Sequence, residues 1–226
     1  MILMFEITRS LPAPTDLSRN KYNTTQILDA LSEICYSKCY LCENDKVQEV
    51  EVEHFLPHAK HPTLKFEWDN LFYSCKRCNR IKGDNYEYIL NPCDVNHKVF
   101  RNLRLIPPSR VNDPIVIENL CPSNDPYYPN AITTVELLKK CFNDVSTAAR
   151  RISRRELVNN LLDELNDILV IRSKLKSKKL SNFEEEQEIQ RLIKMISPNY
   201  AFSAFWRWYV LDDETLNSKM SSYINF

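Results

Sequence analysis

Two short cysteine pairs in the first third of the sequence have the residue type and spacing of a metal site. Cys39 and Cys42 form the first pair, and Cys75 and Cys78 form the second. Each pair places two thiolates on one tight turn, and four thiolates at tetrahedral positions are the ligands of a closed structural Zn²⁺ site. Residues 43–74 form a longer spacer than a simple zinc ribbon uses. The sequence therefore predicts a zinc site with an additional element between its two halves.

Polar residues in and beside this spacer have the types needed to hydrolyse a phosphodiester bond. That reaction needs a base for the attacking water and a cation on the scissile phosphate. His54 offers a neutral imidazole near physiological pH and is the candidate base. Glu53 and Asn79 offer hard oxygen atoms, which suit Mg²⁺ or Mn²⁺ as the catalytic ion. Asn70 is expected to hydrogen-bond across the spacer and hold the loop after His54 in place.

Basic side chains next to these residues are candidates for contact with the phosphates of a nucleic acid. His58 is a further candidate for phosphate or metal contact, and a polar loop residue is its alternative interpretation. Pro57 argues against a single helix that would carry both histidines as metal ligands. The basic candidates surround the second cysteine pair, with a solvated helix face as their alternative: Lys76, Arg77, Arg80 and Lys82.

The elements that must position these residues are two strands and a short helix. Valine and glutamate alternate over residues 47–53 in the manner of a half-buried strand, which Pro57 stops. Residues 70–73 are predicted to form a second strand, and residues 76–82 a helix that ends at Gly83. Neighbouring residues on a strand point to opposite faces. The acidic residue and its adjacent histidine therefore share one site only if the first strand ends at the histidine.

These motifs resemble those of the HNH endonucleases, with His54, Asn70 and Asn79 at the three motif positions. The likeness is more detailed to the PtuB-type HNH proteins of Septu and retron-associated anti-phage defence, and it covers roughly residues 30–100. Many HNH enzymes have aspartate at the position of Glu53 and histidine at that of Asn79. The segments that carry the detailed likeness are EHFLP at residues 53–57, WDNL at 68–71, CNRIKG at 78–83 and LNPC at 90–93.

The resemblance implies a zinc-stapled ββα-metal core, also called a His-Me finger, within an α+β protein. It implies DNA as the usual substrate, with tRNA or another RNA as the alternative. It also implies a companion SMC-like ABC ATPase of the PtuA type, in some systems with a retron reverse transcriptase and its RNA. A zinc-stabilised adapter without catalysis is the rival hypothesis from a different class, but an adapter does not need a histidine, an acidic neighbour and two asparagines at these positions.

Composition places few limits on function. The chain has 226 residues, of which 43% are hydrophobic, and its 30 basic and 30 acidic residues give a net charge of zero. Global charge therefore provides no evidence for nucleic-acid binding. No apolar run is long enough to span a membrane, and residues 1–5 lack a basic leader and are predicted to form a strand. Four of the eight cysteines lie in metal-type pairs, which favours a reducing, cytoplasmic location.

The chain divides into three predicted segments. Residues 1–38 are a lead-in with a helix, residues 39–130 are the nuclease core with an irregular wrap, and residues 131–226 are helical. Thr133 and Glu136 have the spacing of a capping box that opens the helical segment.

Two features of the helical segment are candidate contact surfaces. The four arginines over residues 150–155 are predicted to contact nucleic acid or an acidic partner, with a solvated helix face as the alternative. They are Arg150, Arg151, Arg154 and Arg155. Aromatic residues at helical spacing after Pro198 are predicted to dock a partner, with packing on the chain's own core as the alternative. These aromatic residues are Phe202, Phe205, Trp206 and Tyr209.

Overall fold

The computed structural model describes most of the chain as a mixture of two small antiparallel sheets and eight helices. The strand predicted at residues 1–5 lies outside the described residues. None of the described helices is both long and apolar enough to cross a membrane. The described ranges are residues 7–9, 12–19, 21–47, 49–177 and 179–224.

The predicted order of strand, loop, strand and helix is confirmed. β1 spans Val50–His54 and pairs antiparallel with β2, Leu71–Cys75, so that His54 lies opposite Leu71. α2 follows directly at Lys76–Lys82 and ends at Gly83, which has a positive φ of 47°. Glycine tolerates this region without the steric cost of a Cβ. β1 therefore ends at the histidine, as the sequence predicts.

The two faces of this hairpin pack against different helices. α1, Thr25–Ile34, buries Ile27 and Leu31 against the face that carries the β1 valines. α2 contacts both strands on the other face, which carries the β1 glutamates. Alternate strand residues share a face, so the valine–glutamate alternation sends apolar side chains to one helix and acidic side chains to the other.

The irregular wrap that follows α2 contains two short strands. α3, Val99–Asn102, leads into β3, Leu103–Ile106, which pairs antiparallel with β4, Val116–Asn119. The remaining helices are α4 (Tyr128–Asn143), α5 (Ala148–Lys176), α6 (Asn182–Met195), α7 (Ser203–Asp212) and α8 (Glu214–Met220). Together these elements give the α+β class that the sequence predicts.

The prediction of a capping box at Thr133 and Glu136 is wrong. α4 begins at Tyr128, with Pro129 in its first turn, where the missing N–H of proline costs nothing. The hydroxyl of Thr133 instead donates to the carbonyl of Pro129 inside the helix. A capping box does occur at the start of α6, between Ser181 and Glu184.

The prediction that the aromatic stripe docks a partner is also wrong, because the side chains of the stripe are internal. Phe202, Phe205 and Trp206 are 0% exposed. They belong to one continuous core that also contains the four cysteines of the thiol pairs. Only Tyr209 is partly exposed. The stripe therefore holds the helical segment onto the part of the chain that carries the paired cysteines.

Hydrogen bonds reinforce this attachment at the first cysteine pair. The backbone N–H of Ala204 donates to Oε2 of Glu43 at 2.8 Å, and that of Phe202 donates to the Glu43 carbonyl at 3.2 Å. Lys38 is buried, pairs with Glu43 at 3.1 Å and donates to the Tyr200 carbonyl. The start of α7 and the turn before it therefore hold the turn that carries Cys39 and Cys42.

Candidate functional site

The four paired cysteines meet where the first cysteine turn approaches the junction of β2 and α2. Their sulfur atoms all lie within 4.8 Å of one another, and all four side chains are buried. The sulfurs of Cys42 and Cys75 are 4.0 Å apart. This is close to the distance of about 3.8 Å between two sulfurs that bind one zinc ion tetrahedrally through Zn–S bonds of about 2.3 Å. Sulfur type, number and spacing therefore fit a structural zinc ion.

His54 is held by a backbone carbonyl and by a second histidine. Its Nε2 lies 3.0 Å from the Lys65 carbonyl, and its Nδ1 lies 3.2 Å from Nδ1 of His58. A carbonyl only accepts, so Nε2 carries the hydrogen, and the lone pair of Nδ1 faces His58. Burial lowers the pKa of His54 to about 4, and the nearby charges of His58 and Lys65 act in the same direction. The imidazole is therefore neutral at physiological pH, and Nδ1 is the atom that can accept a proton.

Asn70 bridges the two ends of the loop between β1 and β2. Its Oδ1 accepts from the backbone N–H of Leu56 at 2.7 Å. Its Nδ2 donates to the carbonyls of Leu56 and Leu64 at 2.9 and 3.1 Å. The side chain is buried, so these bonds are protected from water. Asn70 thus fixes the loop that supplies the Lys65 carbonyl to His54.

Glu53 and Asn79 do not meet as the predicted pair of metal ligands. Glu53 is only 3% exposed, and its two oxygens accept from the Tyr40 hydroxyl at 2.6 Å and from Nζ of Lys82 at 2.8 Å. Burial raises the pKa of Glu53, and the ammonium of Lys82 opposes that shift. Nδ2 of Asn79 donates instead to Oε2 of Glu51 at 2.7 Å. The carboxylate beside Asn79 is therefore that of Glu51.

Two of the predicted phosphate contacts must be corrected. Lys82 is 0% exposed and bonds Glu53 and the His54 carbonyl, so it cannot reach a substrate. Arg77 directs its guanidinium to the carbonyls of Cys141 and Asp144 at 2.8 and 2.7 Å. It also donates to the Arg150 carbonyl at 2.7 Å. Arg77 therefore joins α2 to the connection between α4 and α5.

The other basic candidates remain near the surface. Arg80 is exposed, Lys76 pairs with Glu49, and half-buried His58 contacts His54. A groove of about 630 Å³ lies between α2 and the start of α5. Sequence reasoning missed this groove, because its walls come from distant parts of the chain. The basic residues that line it, besides Arg77, are Lys46, Lys76, Arg80 and Arg150.

The arginines over residues 150–155 do not form one surface. Arg150 lines the groove and pairs with Asp144. Arg154 is buried and donates to the carbonyls of Val111 and Asp113 at 2.8 and 2.7 Å. Arg151 and Arg155 are exposed, as the solvated-face alternative predicts. The cluster is therefore divided between the groove, the wrap and the solvated surface.

The hairpin, the helix that follows it and the buried thiols together form a ββα unit with a metal-type cysteine cluster. Residues 39–85 match the family described as HNH endonuclease. A curated relative, the Septu protein PtuB of Bacillus thuringiensis, is 45% identical over 69 residues, which are 28% of this chain and 27% of that protein. The match thus spans about a quarter of the relative's length. Residues 39–85 are therefore similar to the HNH endonucleases, and about a quarter of the chain is similar to PtuB.

Proposed function

We propose that this protein is a metal-dependent endonuclease that hydrolyses phosphodiester bonds of nucleic acid, with DNA as the substrate. The observation that supports this most directly is the neutral imidazole of His54, which has a fixed tautomer with an unprotonated Nδ1 at the end of β1. A structural histidine in a core has no need of this arrangement beside a loop fixed by Asn70.

In the proposed mechanism, Nδ1 of His54 removes a proton from the water that attacks phosphorus. The Lys65 carbonyl keeps the other proton on Nε2, so the imidazole accepts at one defined atom. A bound Mg²⁺ or Mn²⁺ would supply the positive charge that stabilises the phosphate and the departing 3′ oxygen. His58 has to turn away from Nδ1 before water can reach it, and its N–H can then donate to a phosphate oxygen.

The groove between α2 and the start of α5 supports binding of a nucleic-acid backbone to this protein. Its basic lining residues outnumber its acidic ones, Glu49 and Glu156. Exposed Arg80 and partly exposed Arg150 offer guanidinium groups, which bind phosphate well. A site of this kind recruits substrate locally although the net charge of the whole chain is zero.

Cleavage assays of His54→Ala test the proposal. We expect the purified variant to lose about 10²- to 10⁴-fold in cleavage rate in Mg²⁺, since it lacks the base. The matched control is His61→Ala, on the same loop, whose imidazole contacts Glu87 at 3.0 Å and not the site. Full activity in His54→Ala, or no cleavage of any nucleic acid by the native protein, would support the non-catalytic adapter instead.

The same assay distinguishes the two substrate classes. Duplex DNA, single-stranded DNA, tRNA and unstructured RNA are compared at equal concentration of phosphate. We expect DNA to be cleaved fastest. If tRNA or another RNA is cleaved preferentially and the cleavage depends on His54, the proposed nuclease activity is supported and its proposed substrate is RNA instead of DNA.

The likeness to PtuB supports a role in Septu-type anti-phage defence. We propose that the protein acts in the cytoplasm with an SMC-like ABC ATPase of the PtuA type, and in retron-associated systems with a reverse transcriptase and its RNA. Co-expression of the full chain with the ATPase encoded beside it, followed by size-exclusion chromatography, tests the partnership. Separate elution of the two proteins would count against it.

A further inference from the structure

The groove between α2 and the start of α5 lies away from His54. Its lining includes Glu49, just before β1, and Cys75, which pairs with Val50 at the start of that strand. His54 is at the other end of β1. At about 3.3 Å per strand residue, the two ends of β1 are about 13 Å apart. The groove is therefore a site separate from the candidate base.

The groove runs along the first part of α5. At one end, Arg77 of α2 donates to the Arg150 carbonyl at 2.7 Å. At the other end, Asn160 donates to Oδ1 of Asn44, which lines the groove, at 3.3 Å. The α5 lining extends from the first turn to Leu157, which is about 10 Å beyond Arg150 at 1.5 Å per helical residue. A groove of this length and of about 630 Å³ has the size of a site for one small ligand.

The two ends of the groove differ in chemistry. The end formed by α2 and the first turn of α5 carries the guanidinium groups of Arg80 and Arg150. The other end is lined by the apolar side chains of Val47 and Leu157 and by the carboxylate of Glu156. A complementary ligand therefore has an anionic group at one end and, at the other, an apolar body with a hydrogen-bond donor.

Two of the charged lining residues are left for such a ligand. Arg80 and Glu156 are both exposed, and neither makes a hydrogen bond or an ion pair in the described part of the chain. They line the same groove but do not pair with each other. The other charged lining residues already have partners, apart from Arg77, which bonds carbonyls. These pairs are Lys46 with Glu164, Lys76 with Glu49, and Arg150 with Asp144.

We propose that this groove binds one nucleotide whose base carries an amino group. The phosphate lies at Arg80 and Arg150, because guanidinium groups bind phosphate through paired N–H donors. The base packs against Val47 and Leu157, and Glu156 accepts a hydrogen bond from its amino group. A bare phosphate backbone along the whole groove would leave the apolar end empty and bring negative charge to Glu156.

Both a free nucleotide and one unit of a nucleic-acid strand present these groups. The inference goes beyond the contact with a nucleic-acid backbone, since it places a base as well as a phosphate. It does not depend on cleavage at His54.

Calorimetric titration of the zinc-loaded full chain with cytidine or uridine monophosphate, without added divalent cation, tests the placement of the base. Cytosine has an amino group where uracil has a carbonyl oxygen, which would face the Glu156 carboxylate. We expect the cytidine nucleotide to bind about tenfold more tightly. Glu156→Gln should reduce the difference to about twofold or less, since an amide can donate as well as accept.

Arg80→Ala tests the placement of the phosphate. It should weaken both nucleotides about tenfold, because each loses a charge-assisted hydrogen bond. Arg151→Ala is the matched control, since Arg151 is also exposed but does not line the groove. It should bind both nucleotides as the native protein does. Thermal melts of each variant check that it is folded.

Competition with a short oligocytidylate distinguishes the two sources of the nucleotide. Displacement of cytidine monophosphate by a lower concentration of the oligonucleotide would identify a unit of a strand as the ligand. Weaker competition by the oligonucleotide would identify a free nucleotide.

Three results would overturn the inference. They are no binding of cytidine monophosphate, equal affinity for the cytidine and uridine nucleotides in the native protein, and a loss in Arg151→Ala that equals the loss in Arg80→Ala. A native protein that binds cytidine monophosphate through Arg80 and Glu156 but cleaves no nucleic acid would refute the proposed nuclease and leave this inference standing.

Discussion

The thiol cluster and the proposed hydrolytic site share one hairpin and one helix, yet their environments are opposite. The four thiols are buried, and the chain supplies four sulfur ligands. The proposed hydrolytic site is partly open, since Asn79 is half-buried and solvent reaches it. A closed site contributes to folding, whereas an open one leaves positions for chemistry. The two sites should therefore respond differently to mutation.

Substitutions at two adjacent residues of α2 are expected to show the largest difference in stability between the two sites. Cys78→Ser removes a zinc ligand, and structural zinc contributes about 10 kcal/mol or more of folding free energy. We expect loss of zinc by metal analysis and loss of the cooperative thermal transition. Asn79→Ala, one residue later, leaves the thiols in place and removes a contact to Glu51 together with an oxygen ligand proposed for the catalytic cation. It should melt within a few degrees of the native protein, cleave more slowly, and recover partly in excess Mg²⁺ or Mn²⁺.

Cys93→Ser is the control for the thiol substitution, since Cys93 is a half-buried thiol outside the cluster. It should retain zinc. Identical melting of Cys78→Ser and Asn79→Ala would show that the division between a closed structural site and an open catalytic one is wrong.

A second prediction concerns the buried core that surrounds the thiol cluster and continues into α7. Trp206 is fully buried in α7, and its indole N–H donates to the Ala201 carbonyl at 2.9 Å. We expect Trp206→Ala to cost about 3–5 kcal/mol of unfolding free energy, as large-to-small changes in a core do. Denaturant unfolding measures it, with Phe183→Ala as control, because Phe183 is 72% exposed. A stable, soluble Trp206→Ala variant that no longer binds the ATPase would restore the docking interpretation of the aromatic stripe.

The sequence was sufficient where the determining residues are close together. The cysteine spacing, the valine–glutamate alternation and Gly83 define the hairpin, its helix and the end of β1 within residues 39–83. Asn70 was also expected to reach across the loop, and its bonds to Leu56 and Leu64 do so. Each of these features follows from local periodicity or turn chemistry, which a single sequence displays.

The sequence was insufficient where the partner is set by how elements pack. Arg77 was expected to face phosphate, but its bonds reach the chain 64 to 76 residues later. Lys82 and Asn79 are three residues apart on α2, and only the placement of that helix on β1 decides which glutamate each one meets. The aromatic spacing in α7 describes an internal helix and a docking helix equally well. Tertiary contacts, and not periodicity, distinguish these cases.

The smallest expected effect concerns the pH dependence of His54. Its pKa is lowered from an ordinary 6.5 to about 4, first by burial, and further by His58, Lys82 and Lys65; the hydrogen bond to the Lys65 carbonyl opposes the shift. The unfolded chain therefore binds a proton at this residue between about pH 6.5 and pH 4, and the folded chain does not. Stability must fall as the pH falls through that window, and the effect is complete below pH 4.

Histidine-selective NMR titration and unfolding at several pH values measure this effect. The His54 resonances should stay those of a neutral imidazole at pH 5.5, where an ordinary histidine is largely protonated. The stability of His54→Gln relative to the native protein should rise as the pH falls from 6.5, since glutamine takes up no proton. Acid release of zinc affects both proteins, so the difference between them isolates the histidine. A His54 titration midpoint near pH 6.5 would mean that water surrounds the imidazole. The proposed hydrolytic site would then be open to solvent at His54 as well as at Asn79.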